Sequence, residues 1–403
     1  MTLEVPEEEL PLSLGRNVDF LRRLSKLSGL RLPRLDGSVG LPSPLVEIAD
    51  FGSNPGNLRM FSYVPPALQQ PCALVVVLHG CGQTAAAYDL GAGWSMLAKQ
   101  FGFVLLMPEQ RRTNNANACF NWFNPEDSAR GGGEACSIRQ MIAHMVAAHD
   151  IDAHRISITG LSAGGAMTSV MLAAYPEVFA AGAIIAGLPY GVASNLRQAL
   201  DSMFHASERR AGELGDLVRK ASDYHGPWPK ISVWHGSADT VVDPGNSREI
   251  VKQWLDLHDL PQAPMAETLV DGYPRQSWWD ADGDTMVESY TITGMAHGTP
   301  LGLADNDQHY GMEGAFLLEA GISSSYHIAQ FFKLTDWVRN AEPASTAAEV
   351  ATPNPQPTLS PAPHLARSIL KAEADQPAAL TQKSKLDLRA VIRRALTATG
   401  LMK

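Results

Sequence analysis

Cysteine is scarce in this chain: Cys72, Cys81, Cys119 and Cys136 are the only four in 403 residues. None forms a C-x-x-C pair, so the usual spacing of a structural zinc site is missing, and four cysteines in so long a chain do not make a disulfide scaffold. One bridge stays open, and the sequence does not decide it. Positive charge is also short, with 32 Lys and Arg against 42 Asp and Glu, a formal net charge of -10. A net-acidic chain lacks the clustered positive surface that phosphate backbones require, which argues against a nucleic-acid partner. Long apolar runs are absent. Stretches such as Cys72 to Leu78 are far too short to span a bilayer, so no transmembrane segment is expected. The first ten residues, from Met1 to Leu10, are acidic and carry neither a basic nor an apolar region of a secretory signal. The expectation is therefore a soluble, cytoplasmic protein. No dinucleotide fingerprint or phosphate loop occurs, and no cofactor is expected.

What is present is ordinary globular composition, 45% hydrophobic and 18% charged, with a strong alternation of patterns. Residues 1–40 read as an N-terminal extension, with a short amphipathic helix over Asn17 to Leu27. Strand-like segments follow near Leu45–Ile48 and Leu58–Val64. From Ala73 onward, short apolar runs alternate with longer helical stretches. The runs are Ala73–Leu78, Phe103–Met107, Arg155–Thr159, Ala180–Ile185 and Ile231–Trp234. The helical stretches lie near Ala85–Gln100, Glu134–His149, Ser162–Tyr175 and Ser247–Leu257. Strands apolar on both faces, separated by helices, predict an α/β fold with a mostly parallel central sheet covered on both sides. The catalytic domain is expected over 41–340. Residues 195–228, helical and polar, sit where a cap insertion over the site is expected. A strand pair near Met265–Val270 and Met286–Ile292 extends the sheet, and 322–339 reads as a final helix. Residues 341–365, rich in Pro and Ala, read as a linker. Residues 366–403 read as an amphipathic helical tail, with Leu388, Ile392 and Leu396 at helical spacing. That tail is read as docked or frayed, with contact to a partner or a granule surface as the functional alternative.

The chemistry centres on Gly160-Leu161-Ser162-Ala163-Gly164-Gly165, which follows an apolar strand and opens a helix. That context makes G-x-S-x-G a nucleophile elbow and Ser162 a nucleophile. The turn is so tight that flanking side chains would collide, hence the glycines. A serine hydroxyl needs a histidine base, and the histidine needs an acid to fix its tautomer, in the chain order serine, acid, histidine. Asp239, just past the run ending in Trp234-His235-Gly236, is the acid candidate, and Asp243 is its competitor, with helix capping before Pro244 as the alternative role. His297, in Gly294-Met295-Ala296-His297-Gly298, is the base candidate ahead of His309 and His327. An oxyanion hole needs two main-chain N–H groups, expected from Cys81, in His79-Gly80-Cys81-Gly82-Gln83, and from Ala163. His79 reads as a structural hydrogen-bonding residue. Trp122 and Trp278 are candidates for lining the acyl pocket, with core packing as the alternative. The run Asp280 to Asp284 resembles a calcium loop, but its sixth and twelfth positions are Thr285 and Thr291 instead of Gly and Glu, so an Asp-Gly turn is the better reading.

Taken together, His79-Gly80-Cys81-Gly82-Gln83, Asn121-Trp122-Phe123, Ser137-Ile138-Arg139-Gln140-Met141, Gly160 to Met167 and Gly187-Leu188-Pro189-Tyr190-Gly191 resemble one family, the poly(3-hydroxybutyrate) depolymerase esterases, relatives of feruloyl and acetylxylan esterases. The resemblance spans roughly 45–335. It implies an α/β-hydrolase fold, an acyl-enzyme mechanism with Ser162, Asp239 and His297 in the triad, and oxyanion donors at Cys81 and Ala163. It implies an ester or polyester substrate, with 3-hydroxybutyrate esters, oligomers or polymer first and feruloyl or acetyl esters second. Secretion is the location that the resemblance sets against the cytoplasm. A non-catalytic granule-associated protein is the reading from another class.

Overall fold

The computed structural model describes residues 43–68, 70–302 and 310–336. The N-terminal extension, the linker, the C-terminal tail and His309 lie outside the described residues. Ten strands form one sheet in the order β1-β2-β4-β3-β5-β6-β7-β10-β9-β8. Here β1 is Val46–Ile48, β2 Arg59–Tyr63, β3 Cys72–Leu78, β4 Val104–Glu109, β5 Ile151–Leu161, β6 Ala181–Ile185, β7 Lys230–Gly236, β8 Ala266–Val270, β9 Tyr273–Trp279 and β10 Thr285–Ile292. Strands β4, β3, β5, β6, β7 and β10 run parallel, and the outer strands on both sides are antiparallel. Two short strands, β11 (Thr299–Leu301) and β12 (Leu317–Glu319), pair separately.

The apolar runs become strands because both faces are covered. In β3 every residue is buried: Leu74, Val76 and Leu78 join the core on one face, Ala73, Val75 and Val77 the core on the other. Each fully buried aliphatic side chain contributes about 1.5–3 kcal/mol of transfer free energy. The helices are α1 (Ala85–Ala92), α2 (Trp94–Phe101), α3 (Pro125–Ser128), α4 (Gly133–Ala148), α5 (Ala163–Ala174), α6 (Leu196–Phe204), α7 (Ala211–Arg219), α8 (Gly245–Leu257) and α9 (Ser324–Phe331). Within the 195–228 stretch, α7 packs against α8 and α5, and its Leu214 and Val218 are fully buried. Among the described residues no helix is long and apolar enough to cross a membrane.

Two expectations are corrected. The helix expected over Ala85–Gln100 is two helices, because Gly93 takes a left-handed conformation (φ 77°) and its N–H turns back to Asp89 O. A side chain at Gly93 would also run into the backbone of Gly311. The expected strand pair at 265–292 contains a third strand, β9, between β8 and β10. It is entered through Asp271-Gly272, both at positive φ (49° and 85°), the geometry of a tight hairpin turn. The Asp280–Asp284 segment is the turn from β9 to β10, closed by Asp280 N–H to Asp284 O at 3.1 Å.

The chain passes from β3 outward to β4 and returns to β5 on β3's other side. Strand order therefore reverses at β3/β5, and a crevice opens at their carboxyl ends, where α/β sheets gather their sites.

Candidate active site

Ser162 stands at that crevice, between the end of β5 and the first residue of α5. Its backbone is forced to φ 58°, ψ -117°, a conformation that non-glycine residues rarely hold, and its N–H is tied to Ile185 O at 2.9 Å. The neighbouring glycines are steric necessities. A Cβ on Gly160 would overlap the carbonyl of Gly164, and one on Gly164 would overlap the carbonyl of Leu78. The same close approach brings the β3 exit loop, His79 to Gln83, against the start of α5.

That loop is held from several sides. Gly80 N–H donates to Gln83 Oε1 (2.8 Å), and Gly82 N–H to Asn117 O (2.7 Å). His79 is fully buried: it faces Gly80 O through Nδ1 (2.8 Å) and accepts the Gln110 N–H at Nε2 (3.1 Å), so its proton sits on Nδ1. Burial pushes that imidazole below its ordinary pKa. This is the structural role expected for His79. Cys81 is joined by a disulfide to Cys119, which answers the question of pairing left open by the sequence and pins the loop to the segment carrying Trp122. The Cys81 N–H donates to no described residue, and the Ala163 N–H is a first-turn helix donor with no intrahelical acceptor.

Asp239 follows β7, and His297 lies between β10 and β11. Their loops are stitched together: Ser237 N–H donates to Ile292 O (3.0 Å), Ala238 N–H to Met295 O (3.0 Å) and Gly294 N–H to Ser237 Oγ (2.8 Å). Gly236 has to lack a side chain, since a Cβ would overlap the Met295 carbonyl. Within this frame Asp239 Oδ2 accepts from His297 Nδ1 at 2.7 Å, while Oδ1 accepts the Val241 and Val242 N–H groups at 2.8 and 2.9 Å. A carboxylate accepts, so His297 carries a proton on Nδ1, directed at Asp239. Burial alone would raise the Asp239 carboxyl, but hydrogen bonds from His235 and His297 outweigh it and hold the group well below the ordinary carboxylate range.

The other candidates sit elsewhere. Asp243 Oδ1 accepts from Gly245 N–H at the start of α8, and its Oδ2 from Ala206 N–H, which is the capping alternative. His327, on α9, bonds to Asp271 at 2.8 Å. Trp122 is buried, three residues beyond the disulfide and edge-on to Phe123. Trp278 is not brought to this group. It is 1% exposed, donates to Ala263 O, and is registered through Val287 with Ile231, near the start of β7 and so at the opposite end of the sheet from Asp239. Its flat surface is used in the core. Among the described residues no cluster of three or more His, Cys, Asp or Glu is placed to hold a metal ion.

Two residues were missed from the sequence. His235, on β7, adds a second imidazole to Asp239 Oδ2 at 3.1 Å. Glu134, fully buried at the start of α4, accepts from Gln110 Nε2 and from both the backbone and side chain of Asn121, organising the 110–122 segment. Burial, reinforced by Asp127 and opposed by those hydrogen bonds, pushes its carboxyl up to about 8. The Asn121-Trp122-Phe123 motif held half of that signal.

A family model described as "Esterase PHB depolymerase" matches residues 58–270. The poly(3-hydroxyalkanoate) depolymerase C of Paucimonas lemoignei is 47% identical over 289 residues, 72% of this chain and 70% of that protein. An acetylxylan esterase of Coprinopsis cinerea is 33% identical, covering 65% of this chain and 73% of its own. A feruloyl esterase B of Neurospora crassa is also 33% identical, covering 66% and 92%. The solved acetyl xylan esterase from Aspergillus awamori superposes with a TM-score of 0.60 at 25% identity, over 72% of this chain and 99% of that one. With a mostly parallel α/β-hydrolase sheet and a serine elbow at its switch point, the chain is a serine-type carboxylic ester hydrolase and belongs to the esterase PHB depolymerase family.

Proposed function

We propose that the chain cleaves carboxylic esters through an acyl-enzyme on Ser162, with His297 as base and Asp239 as the acid that orients it. One observation carries this reading: the 2.7 Å bond from His297 Nδ1 to Asp239, in loops stitched to each other at the same sheet end as the elbow serine. His297 Nε2 takes the Ser162 proton as Oγ attacks the ester carbonyl. The tetrahedral oxyanion is held by the N–H groups of Cys81 and Ala163, aided by the positive end of α5. His297 then returns the proton to the departing alcohol. Water, deprotonated by the same nitrogen, releases the acid. Trp122 is the remaining pocket candidate.

The preferred substrate is a 3-hydroxybutyrate ester, oligomer or polymer, a choice supported by the 47% identity to a poly(3-hydroxyalkanoate) depolymerase against 33% to acetylxylan and feruloyl esterases. The Cys81–Cys119 bridge favours work in an oxidising compartment over the cytoplasm. The test is a panel of p-nitrophenyl butyrate, hydroxybutyrate oligomers, amorphous polymer, methyl ferulate and acetylated xylan, with wild type and Ser162→Ala. Hydroxybutyrate oligomers are expected to give the highest kcat/KM, and the variant a loss on the order of 10⁴ or more. An unchanged rate in Ser162→Ala defeats the mechanism, and a feruloyl or acetyl optimum overturns the substrate choice.

A further inference from the structure

We propose that His235 is a positioning residue for the catalytic acid, a second imidazole that holds Asp239 and sets how strongly its carboxylate grips His297. The inference rests on the relay reading above and adds a member to it.

His235 is the penultimate residue of β7, and its side chain turns into the core under the loop that carries Asp239. Its Nε2 lies 3.1 Å from both Asp239 Oδ2 and the Val242 carbonyl. A carbonyl can only accept, so the proton is on Nε2 and is shared between the two oxygens. Nδ1 is buried and faces no partner among the described residues. A buried nitrogen left unpaired is uncommon. Its tolerance here indicates that the ring is kept for its Nε2 edge. Asp239 thus has both oxygens fully engaged: Oδ1 by two backbone N–H groups, Oδ2 by His235 from β7 and His297 from the loop after β10. These two histidines are the titratable groups that face it. The carboxylate can neither rotate nor give all of Oδ2 to His297. The His235 N–H therefore both fixes the angle of the relay and withholds part of the negative charge from the imidazolium that forms during attack.

The test compares wild type, His235→Leu, His235→Gln and Ser162→Ala with p-nitrophenyl butyrate, with thermal unfolding measured on each. Leucine fills the space without a donor. Glutamine brings an amide able to donate to Asp239 and Val242 separately. His235→Leu is expected to lose on the order of 10- to 100-fold in kcat with little change in KM. The acid limb of its kcat/KM profile is expected to move upward by roughly half a pH unit, because the freed carboxylate holds the His297 proton more tightly. His235→Gln is expected to recover most of kcat and the wild-type limb. The proposal is overturned if His235→Leu keeps wild-type kcat and pH profile. It is equally overturned if both His235 variants lose activity only in step with their folded fraction. Activity surviving in Ser162→Ala would instead sink the relay itself, a separate outcome.

Discussion

Replacing Asp239 by asparagine tests the site at its most determined point. The new amide has one oxygen and one NH2 to distribute. Oδ1 receives two backbone N–H groups, from Val241 and Val242 at 2.8 and 2.9 Å, and neither donor can be satisfied by an NH2. The oxygen must stay there, so the NH2 replaces Oδ2 and points a donor at His297 Nδ1, 2.7 Å away. Histidine can meet a donor at Nδ1 only by moving its proton to Nε2. That is the tautomer that cannot accept a proton from Ser162. His235 still has the Val242 carbonyl for its N–H, so the fold is little disturbed while the base is disabled. A wrong-tautomer histidine costs on the order of 10⁴ in kcat, about 5 kcal/mol of barrier, in enzymes built on this logic. Steady-state hydrolysis of p-nitrophenyl butyrate, with thermal unfolding as a control for folding, measures it. Asp243→Asn should remain near wild type, since that side chain only caps α8 and receives Ala206 N–H. If Asp239→Asn keeps kcat within tenfold while Asp243→Asn is crippled, the assignment of the acid is wrong and so is the tautomer argument.

Two further perturbations address the frame around the site. The Cys81–Cys119 bridge closes a segment of 38 residues, for which loop entropy alone is worth about 4 kcal/mol in the chain-entropy model; Cys119→Ser should lower stability by up to that amount and kcat more than KM. Equal Tm and kcat in the variant and the wild type would refute the tether. Asp89, fully buried in α1 with Oδ2 unpaired, has its carboxyl pushed by burial up to about 6 from an ordinary 3.8, with bonds from Ser95 opposing the shift. Between those values the folded state keeps a proton that the unfolded chain has released, so the Asp89 contribution to stability should fall by about 3 kcal/mol as pH rises from 4 to above 6, on top of a fall of the same sign from Glu134. Asp89→Asn cannot ionise, so denaturant titrations across that window should show a flatter curve; a slope equal to wild type would exclude Asp89 as the cause.

How much of this was legible in the sequence depended on whether the signal was local. The β3 and β6 strands, and the buried parts of β5 and β7, were readable because burial on both faces demands a mostly apolar run. The elbow was readable because one sharp turn needs glycines at fixed offsets from the serine. Strand β9 was not. Its residues, Tyr273 to Trp279, include Pro274, Arg275 and Gln276 on a half-exposed ribbon, and the visible clue was the Asp271-Gly272 turn before it. Gly93 carries no local mark of a helix end in an alanine-rich stretch, and what breaks the helix is a positive φ together with the approach of Gly311, far along the chain. Trp278 was ambiguous for the same reason: only the register of β9 on β10 tells a buried tryptophan from one beside the crevice. The disulfide and Glu134 depend on partners brought together by folding, and although His235 lies only four residues before Asp239, no spacing rule marks that pair as a contact.

The strain at Ser162 and the rigidity of its surroundings are two sides of one arrangement. Holding a non-glycine residue at φ 58° costs on the order of 1–3 kcal/mol. That is no more than the burial of a single aliphatic side chain, and the half of β5 from Ile156 to Leu161 and the whole of α5, on either side of it, are buried. The elbow is thus held by two large elements that cannot relax independently, with its N–H fixed to Ile185 on the next strand. The proposed acid and base are held differently, on two loops bonded to each other and to the ends of β7 and β10. Because Ser237, Ala238 and Gly294 tie those loops together, the geometry of the Asp239–His297 pair is set by the two loops jointly and not by β5 and α5.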